Sequence, residues 1–297
     1  MSPTSVRQTL RAALPAVVGG LVLLFSGAAF AEPAIWAVRD RDSTVFLFGT
    51  IHVMKPGTEW RSRRFDDAFK GADQLILEVD NPEDQAAVLP LIREHGLSPD
   101  RPLSVLLSAE DLARLDAAAQ SLGLRAAQLD PMRPWLASLS LAAAPLRRAG
   151  YDPASGIDPV LRADALAAGM TIAGLETLDQ QVRLLAGFPE EGQLAYLLRS
   201  LDDFDDGAAQ LERLVEAWLA GDVVAIEQIG LRPMREVGER VYQALLVERN
   251  RAWVDRISLI LDDTGTAFIA VGALHLAGED SVQRMLEDRG LTVERVQ

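Results

Sequence analysis

The chain has 297 residues, no cysteine and a formal charge of −14 at pH 7. Without cysteine, disulfides, thiol nucleophiles, thiolate zinc sites and covalent haem attachment through CxxCH are excluded. So strong an acidic excess repels nucleic acid, whose binding rests on Lys and Arg neutralising phosphates, so nucleic-acid partners are excluded too.

In chain order, the first element reads as an export signal. Arg7 and Arg11 precede an apolar run over residues 14–25, and small residues follow, ending in Ala29-Phe30-Ala31. That A-x-A pattern predicts a signal peptide over 1–31, cleaved before Glu32. The rival is a membrane anchor, but the stretch 12–31 is barely long enough to span and contains Pro15, Gly19, Gly20 and Gly27. The expectation is a periplasmic or secreted protein of residues 32–297 without stable membrane insertion. Losing Arg7 and Arg11 makes it two units more negative, a balance that favours solubility.

Three short apolar runs are not amphipathic: Val45-Phe46-Leu47-Phe48, Leu75-Ile76-Leu77 and Phe268-Ile269-Ala270-Val271. Bounded by Gly or charge, they predict strands covered on both faces, with weaker strands at 170–173 and 292–296. Between about 82 and 262 the chain is mainly helical. Ser108 and Asp111 can cap a helix whose face carries Leu112, Leu115, Ala119 and Leu122. Leu211, Leu214, Val215, Trp218 and Leu219 trace one buried stripe. The two ends of the chain are alike. A strand, Gly49-Thr50-Ile51-His52, a helix near 64–70 and a strand at 74–79 match a strand, Gly272-Ala273-Leu274-His275, a helix near 281–288 and a strand at 292–296. Each is a β-loop-α-β unit, which normally returns the chain to a parallel strand. The predicted fold is α/β: one largely parallel or mixed sheet closed by elements from both ends, with a long helical insertion.

The paired Gly-x-x-His steps carry the chemistry. Each histidine leaves a buried strand, so both should point from the carboxyl edge of the sheet, where ligands sit in open α/β folds. Imidazole is the commonest transition-metal ligand and the usual acid or base near neutral pH; either histidine alone could as well bond a loop carbonyl. Glu78 follows Leu75-Ile76-Leu77 on a buried run, where a carboxylate needs a metal, a cation or hydrogen bonds. Two imidazoles and one carboxylate suit a divalent metal with open positions; an ion pair with a nearby arginine suits Glu78 equally. From Tyr242 onward, Leu245, Leu246, Trp253, Ile257 and Ile260 share one face. Arg249 and Asn250 interrupt it, so both should be buried with partners, to orient Glu78, bind substrate or meet a structural carboxylate. Glu176, after a short strand, should also reach the sheet edge. Asp158 in Gly156-Ile157-Asp158-Pro159 reads as a helix N-cap with proline at N1. His95 precedes a glycine C-cap and is assigned no function. Walker A, GxGxxG, GxSxG and HExxH patterns are absent from the sequence.

Ile35-Trp36-Ala37-Val38, Phe46-Leu47-Phe48-Gly49-Thr50-Ile51-His52-Val53 and Leu77-Glu78-Val79 resemble the TraB/GumN family, which includes the Tiki-type proteins. So do Gly156-Ile157-Asp158, Gly174-Leu175-Glu176-Thr177 with Gln180 or Gln181, Glu248-Arg249-Asn250 and Val271-Gly272-Ala273-Leu274-His275-Leu276-Ala277-Gly278. The resemblance runs in order over nearly all of the mature chain. It implies a fold similar to the erythromycin-esterase and ChaN-like proteins, and metal-dependent peptidase activity of the Tiki kind. It places a divalent metal on His52, His275 and Glu78, with Arg249, Asn250 and Glu176 at further motif positions. The expected function is a metal-dependent hydrolase acting on a peptide or small molecule. The alternative is a non-catalytic haem-, metal- or small-ligand-binding protein of the envelope, since imidazoles can ligate haem iron without catalysis.

Overall fold

The computed structural model describes residues 32–82, 84–121 and 123–296; the expected signal peptide and Leu122 lie outside the described residues. Six strands form one sheet: β1 (Ile35–Arg39), β2 (Ser43–Thr50), β3 (Gln74–Val79), β4 (Thr171–Glu176), β5 (Gly265–Gly272) and β6 (Val293–Arg295). Their order is β4-β3-β5-β2-β1-β6. The first four in that order run parallel, β1 pairs antiparallel with β2, and β6 pairs antiparallel with β1.

Both end units join one sheet, as their matching sequences predict, and they interleave within it. From β2 the chain passes through α1 (Arg63–Lys70) to β3, stepping over the place that β5 fills. From β5 it passes through α10 (Val282–Asp288) to β6 at the far edge. The result puts β2 and β5 side by side in parallel, with Gly49 opposite Val271 and Thr50 opposite Gly272. Both Gly-x-x-His steps therefore leave the sheet at one level of one edge. The sheet is mixed because Ile35–Arg39, which carries no alternation of its own, forms an antiparallel strand.

Between β3 and β5 lie mainly helices, including α2 (Gln85–His95), α3 (Ala109–Gln120), α4 (Pro134–Arg148), α5 (Ile157–Ala168), α6 (Leu178–Ala186), α7 (Glu190–Asp202), α8 (Gly207–Leu219) and α9 (Glu248–Leu261). Strand β4 enters the sheet from within this stretch. Ser108 caps α3 by accepting from Asp111 N–H, as its spacing predicts. Helix α8 turns Val215 and Trp218 inward. The indole of Trp218 packs edge-on to Phe48, and its N–H donates to the carbonyl of Gly49 at 2.7 Å, pinning the end of β2. Phe48 also meets Phe65 of α1 and Phe268 of β5, with ring centroids 4.9 and 5.9 Å away, so one aromatic cluster ties both end units together. On the other sheet face, Trp253, Val254, Ile257 and Leu261 of α9 cover Val45, Leu47, Ile76 and Ile269. No helix among the described residues is long and apolar enough to cross a membrane.

Candidate functional site

Each of the four parallel strands delivers one group to the carboxyl edge. Glu176 ends β4, Glu78 lies next to the end of β3, and His275 and His52 each stand three residues past a glycine, Gly272 at the end of β5 and Gly49 next to the end of β2. The two step glycines have no left-handed backbone; their requirement is space. A methyl group on Gly49 would sit 3.0 Å from the Ala273 Cα, so the two loops touch through that glycine. A methyl group on Gly272 would stand 3.1 Å from Glu78 Oε1, 3.4 Å from His52 Nε2 and 3.7 Å from His275 Cδ2. The three expected metal ligands, drawn from residues more than two hundred positions apart, thus surround one point.

Glu78 is the best-held group there. Its Oε1 accepts from the Gly272 N–H at 2.8 Å, and its Oε2 accepts from Arg249 Nη2 at 2.6 Å and Gln181 Nε2 at 3.1 Å. Arg249 meets both readings of its sequence position, because it pairs with Glu78 and also with Glu176. Its Nε and Nη2 donate to the two Glu176 oxygens at 2.8 and 3.2 Å, and its Nη1 donates to the Leu245 carbonyl at 3.2 Å and toward His275 Nε2 at 3.1 Å. With these bonds every N–H of the guanidinium is used. The side chains of Arg249, Glu78 and Glu176 are only 14 %, 12 % and 12 % exposed, so the ion pairs are screened little by water. Trp253 completes the group: its ring lies against the guanidinium and its N–H donates to Glu176 at 2.8 Å. Burial disfavours charge on Glu78, but His275, Arg249 and His52 outweigh it, and the carboxyl is held down to about 2.

The helix that presents Arg249 and Asn250 differs from the unbroken one that the apolar stripe predicts. A π-helical turn over Gln243–Val247 precedes α9. Such widened turns add a residue to the helix and recur at functional sites. Leu246 and Val247 still point inward, followed by the fully buried Asn250 and then Trp253 and Ile257. Asn250 Oδ1 lies 2.5 Å from His275 Nδ1, and its Nδ2 donates to the Asp280 carbonyl at 2.7 Å.

The two histidines occupy opposite environments. His275 is buried, and burial together with the nearby Arg249 outweighs the pull of Glu78, taking the ring down to about 3, so it is neutral at pH 7. The His52 side chain is 64 % exposed at the rim. Desolvation by its neighbours works against charge, but the hydrogen bond and charge of Asp158, helped by Glu78, raise it to about 9. Beside His52 opens a cavity of about 310 Å³ lined by Leu77, Glu78, Val79, Pro153, Pro159 and Gln181.

Asp158 corrects the sequence reading. The N-cap of α5 is Gly156, and Asp158 sits inside the first turn with its carboxylate turned to the sheet. There Oδ2 lies 2.8 Å from His52 Nδ1 and Oδ1 accepts from the Thr50 hydroxyl at 2.9 Å. An Asp-Pro pair at a helix start has the same local signature whether the side chain caps the helix or reaches across the fold. The family-like Gly156-Ile157-Asp158 string was the one signal that could have separated the two. Gln181, by contrast, is brought to Glu78, while Gln180 closes a capping box with Thr177. His95 ends α2 away from these residues, its carbonyl accepting from Trp135.

Comparison with known proteins gives the family. The profile of the TraB/PrgY/gumN family matches residues 34–295. The uncharacterized protein YbaP of Escherichia coli is 26 % identical over 256 residues, 86 % of this chain and 92 % of that protein. An uncharacterized protein of Treponema pallidum is 23 % identical over 274 residues, covering 88 % and 82 % of the two chains. No solved structure matches the chain.

Proposed function

The chain belongs to the TraB/PrgY/gumN family, and from that membership we propose that it is a metal-dependent hydrolase centred on His52, His275 and Glu78. The supporting observation is the convergence of two imidazoles and a carboxylate oxygen on the point above Gly272. That donor set suits a divalent transition metal and leaves coordination positions for water and substrate. Charge agrees with it. Glu78 and Glu176 flank the Arg249 guanidinium and Asp158 pairs with His52, so an ion that displaces the proton of His52 enters a cluster with three carboxylates.

A divalent ion held there would polarise a substrate carbonyl and acidify a water. Glu78 offers Oε1 to the centre while Arg249 and Gln181 hold Oε2, so it serves as ligand or as the base for that water. His275 supplies a neutral ring nitrogen, and Arg249 must release its single contact to that nitrogen while keeping its others. Among the described residues no three His, Cys, Asp or Glu side chains stand in ready ligand geometry. Substrate enters past the exposed His52, through the cavity lined by Val79, Pro153 and Pro159. A peptide is the substrate that the family resemblance implies.

The Arg249 contact favours a second reading, a small-ligand-binding protein in which the guanidinium and not an ion closes the centre. Elemental analysis and calorimetric titration of residues 32–297 with Zn²⁺, Mn²⁺ and Co²⁺ decide between them. We expect one ion per chain, lost in His52→Ala and His275→Ala, and peptide hydrolysis that a chelator stops. A folded wild-type protein that takes up no ion, or hydrolysis indifferent to His275→Ala, sinks the hydrolase reading and leaves the second.

A further inference from the structure

The Gly156-Ile157-Asp158 string makes three separate contacts with the His52 loop. A methyl group on Gly156 would meet the His52 carbonyl oxygen at 2.1 Å, so the two backbones touch where only glycine fits. The next residue donates its N–H to the carbonyl of Ile51 at 2.9 Å. The third places its carboxylate across Thr50 Oγ1 and His52 Nδ1. Just before the string, Met54 and Asp152 exchange backbone hydrogen bonds at 3.3 and 2.9 Å, so the loop is gripped along its length.

This arrangement treats the two nitrogens of His52 differently. A carboxylate at Nδ1 accepts a hydrogen bond, so when the ring is neutral its one proton stays on Nδ1 and the Nε2 lone pair faces the point above Gly272. His275 is built alike with another chemistry. Asn250 uses Nδ2 to donate to the Asp280 carbonyl, which turns its Oδ1, an acceptor, onto His275 Nδ1. His275 Nε2 in turn faces a donor, Arg249 Nη1, which requires a lone pair on that nitrogen.

We infer that Gly156-Ile157-Asp158 is a cradle for His52 and that Asp158 is a positioning residue fixing the Nδ1–H tautomer of His52, as Asn250 fixes that of His275. Both imidazoles are thereby held with Nε2 toward the centre before anything binds. In water histidine favours the proton on Nε2, so each anchor reverses an intrinsic preference. The tautomers follow from the hydrogen bonds alone; their consequence for metal affinity rests on the hydrolase reading above. Losing a partner of this kind typically lowers metal affinity about 10–100-fold.

The chain has three histidines, so ¹⁵N-edited NMR of its imidazoles is simple to assign with His95→Gln as reference. Spectra of metal-free protein are recorded at a pH high enough to leave all three rings neutral. We expect His52 and His275 both as Nδ1–H forms, with the His52 Nδ1 proton far downfield because it is donated to a carboxylate. In Asp158→Ala the His52 proton should move to Nε2 while His275 is unchanged, and Zn²⁺ affinity should fall roughly 10–100-fold. Asp158→Asn keeps an acceptor without the charge; it should preserve the tautomer and move the Nδ1 proton upfield, which decides the matter if the alanine variant does not fold. An Nε2–H wild-type His52, or a Nδ1 proton unmoved by both substitutions, overturns the inference. Wild-type protein that shows the expected tautomers but takes up no Zn²⁺ supports the positioning role and sinks the metal reading instead.

Discussion

Removing the Arg249 guanidinium is the most demanding perturbation of this site. Arg249→Met keeps most of the side-chain length but strips two carboxylates, each 12 % exposed, of their common cation. Breaking a buried pair from one side costs about 3–5 kcal/mol, because the charge left behind stays desolvated. Here two charges are left, but each keeps other donors: Gln181 and the Gly272 N–H on Glu78, Trp253 on Glu176. Those bonds set the expected loss within that range of about 3–5 kcal/mol rather than above it. In a chain of this size it corresponds to a melting temperature lower by roughly 6–20 °C. Urea titration of residues 32–297 at neutral pH measures it. Adding Glu176→Gln to Arg249→Met should recover part of the loss, since one orphaned charge is gone. Arg249→Lys should recover little, because an ammonium cannot match the fork that spans Glu78 and Glu176. A loss below about 1 kcal/mol, the size of an exposed pair, would refute the claim that these carboxylates depend on the guanidinium.

Stability should be greatest near neutral pH. Glu78, held at about 2 against an ordinary 4.5, contributes stability that is complete above 4.5 and lost as pH falls toward 2. His275, taken from 6.5 to about 3, acts in the same sense, because between those values the unfolded chain takes up a proton that the buried ring refuses. His52, raised from 6.5 to about 9, acts oppositely: its contribution is full below 6.5 and lost as pH rises through 9. Urea midpoints still climbing as pH drops from 6.5 to 4.5 would contradict the His275 contribution, and midpoints still climbing from 4.5 toward 2 would contradict both. Gly156→Ala should destabilise the protein by about 1–3 kcal/mol through overpacking against the His52 carbonyl, measured by thermal melting, whereas Gly192→Ala, with open space around it, should not. Mature protein from an envelope fraction should begin at or near Glu32; N-terminal sequencing that finds Met1 in a detergent-extracted protein would favour an anchor.

What was legible in the sequence was what local pattern determines. Short unbroken apolar runs mark β2, β3 and β5 because strands buried on both faces have no polar side to show. The repeated Gly-x-x-His step placed both histidines at one sheet edge, while the side-by-side pairing of β2 with β5 came only with the structure. Arg249 and Asn250 were legible because a polar residue on an apolar stripe has to find partners. Strand β1 was not, because Ile35-Trp36-Ala37-Val38 gains its antiparallel partners from both termini of the chain. The π-helical turn at Gln243–Val247 was not either, because the stripe's apolar residues fit one continuous helix equally well. Asp158 was misread for a related reason: capping is a local event, while the pull of His52 and Thr50 comes from residues about a hundred positions away.

The division of labour between sheet and helices explains why this chemistry needs so long a connection between β3 and β5. The groups facing the centre all come from the end units: His52 after β2, Glu78 on β3, His275 after β5. Their side-chain partners come from the stretch between: Asp158 for His52, Gln181 and Arg249 for Glu78, Asn250 for His275. A sheet edge alone can bring imidazoles and a carboxylate together, since parallel strands end at one level. Its backbone is mostly spent on the ladder and gives Glu78 one N–H, that of Gly272, so the cation beside that carboxylate and the acceptors that fix the imidazole protons must come from elsewhere. Helices α5, α6 and α9 provide those functions by reaching the same edge from outside the sheet. Substitutions in the helical stretch can therefore change the protonation and orientation of the centre while the strands that carry it stay in place.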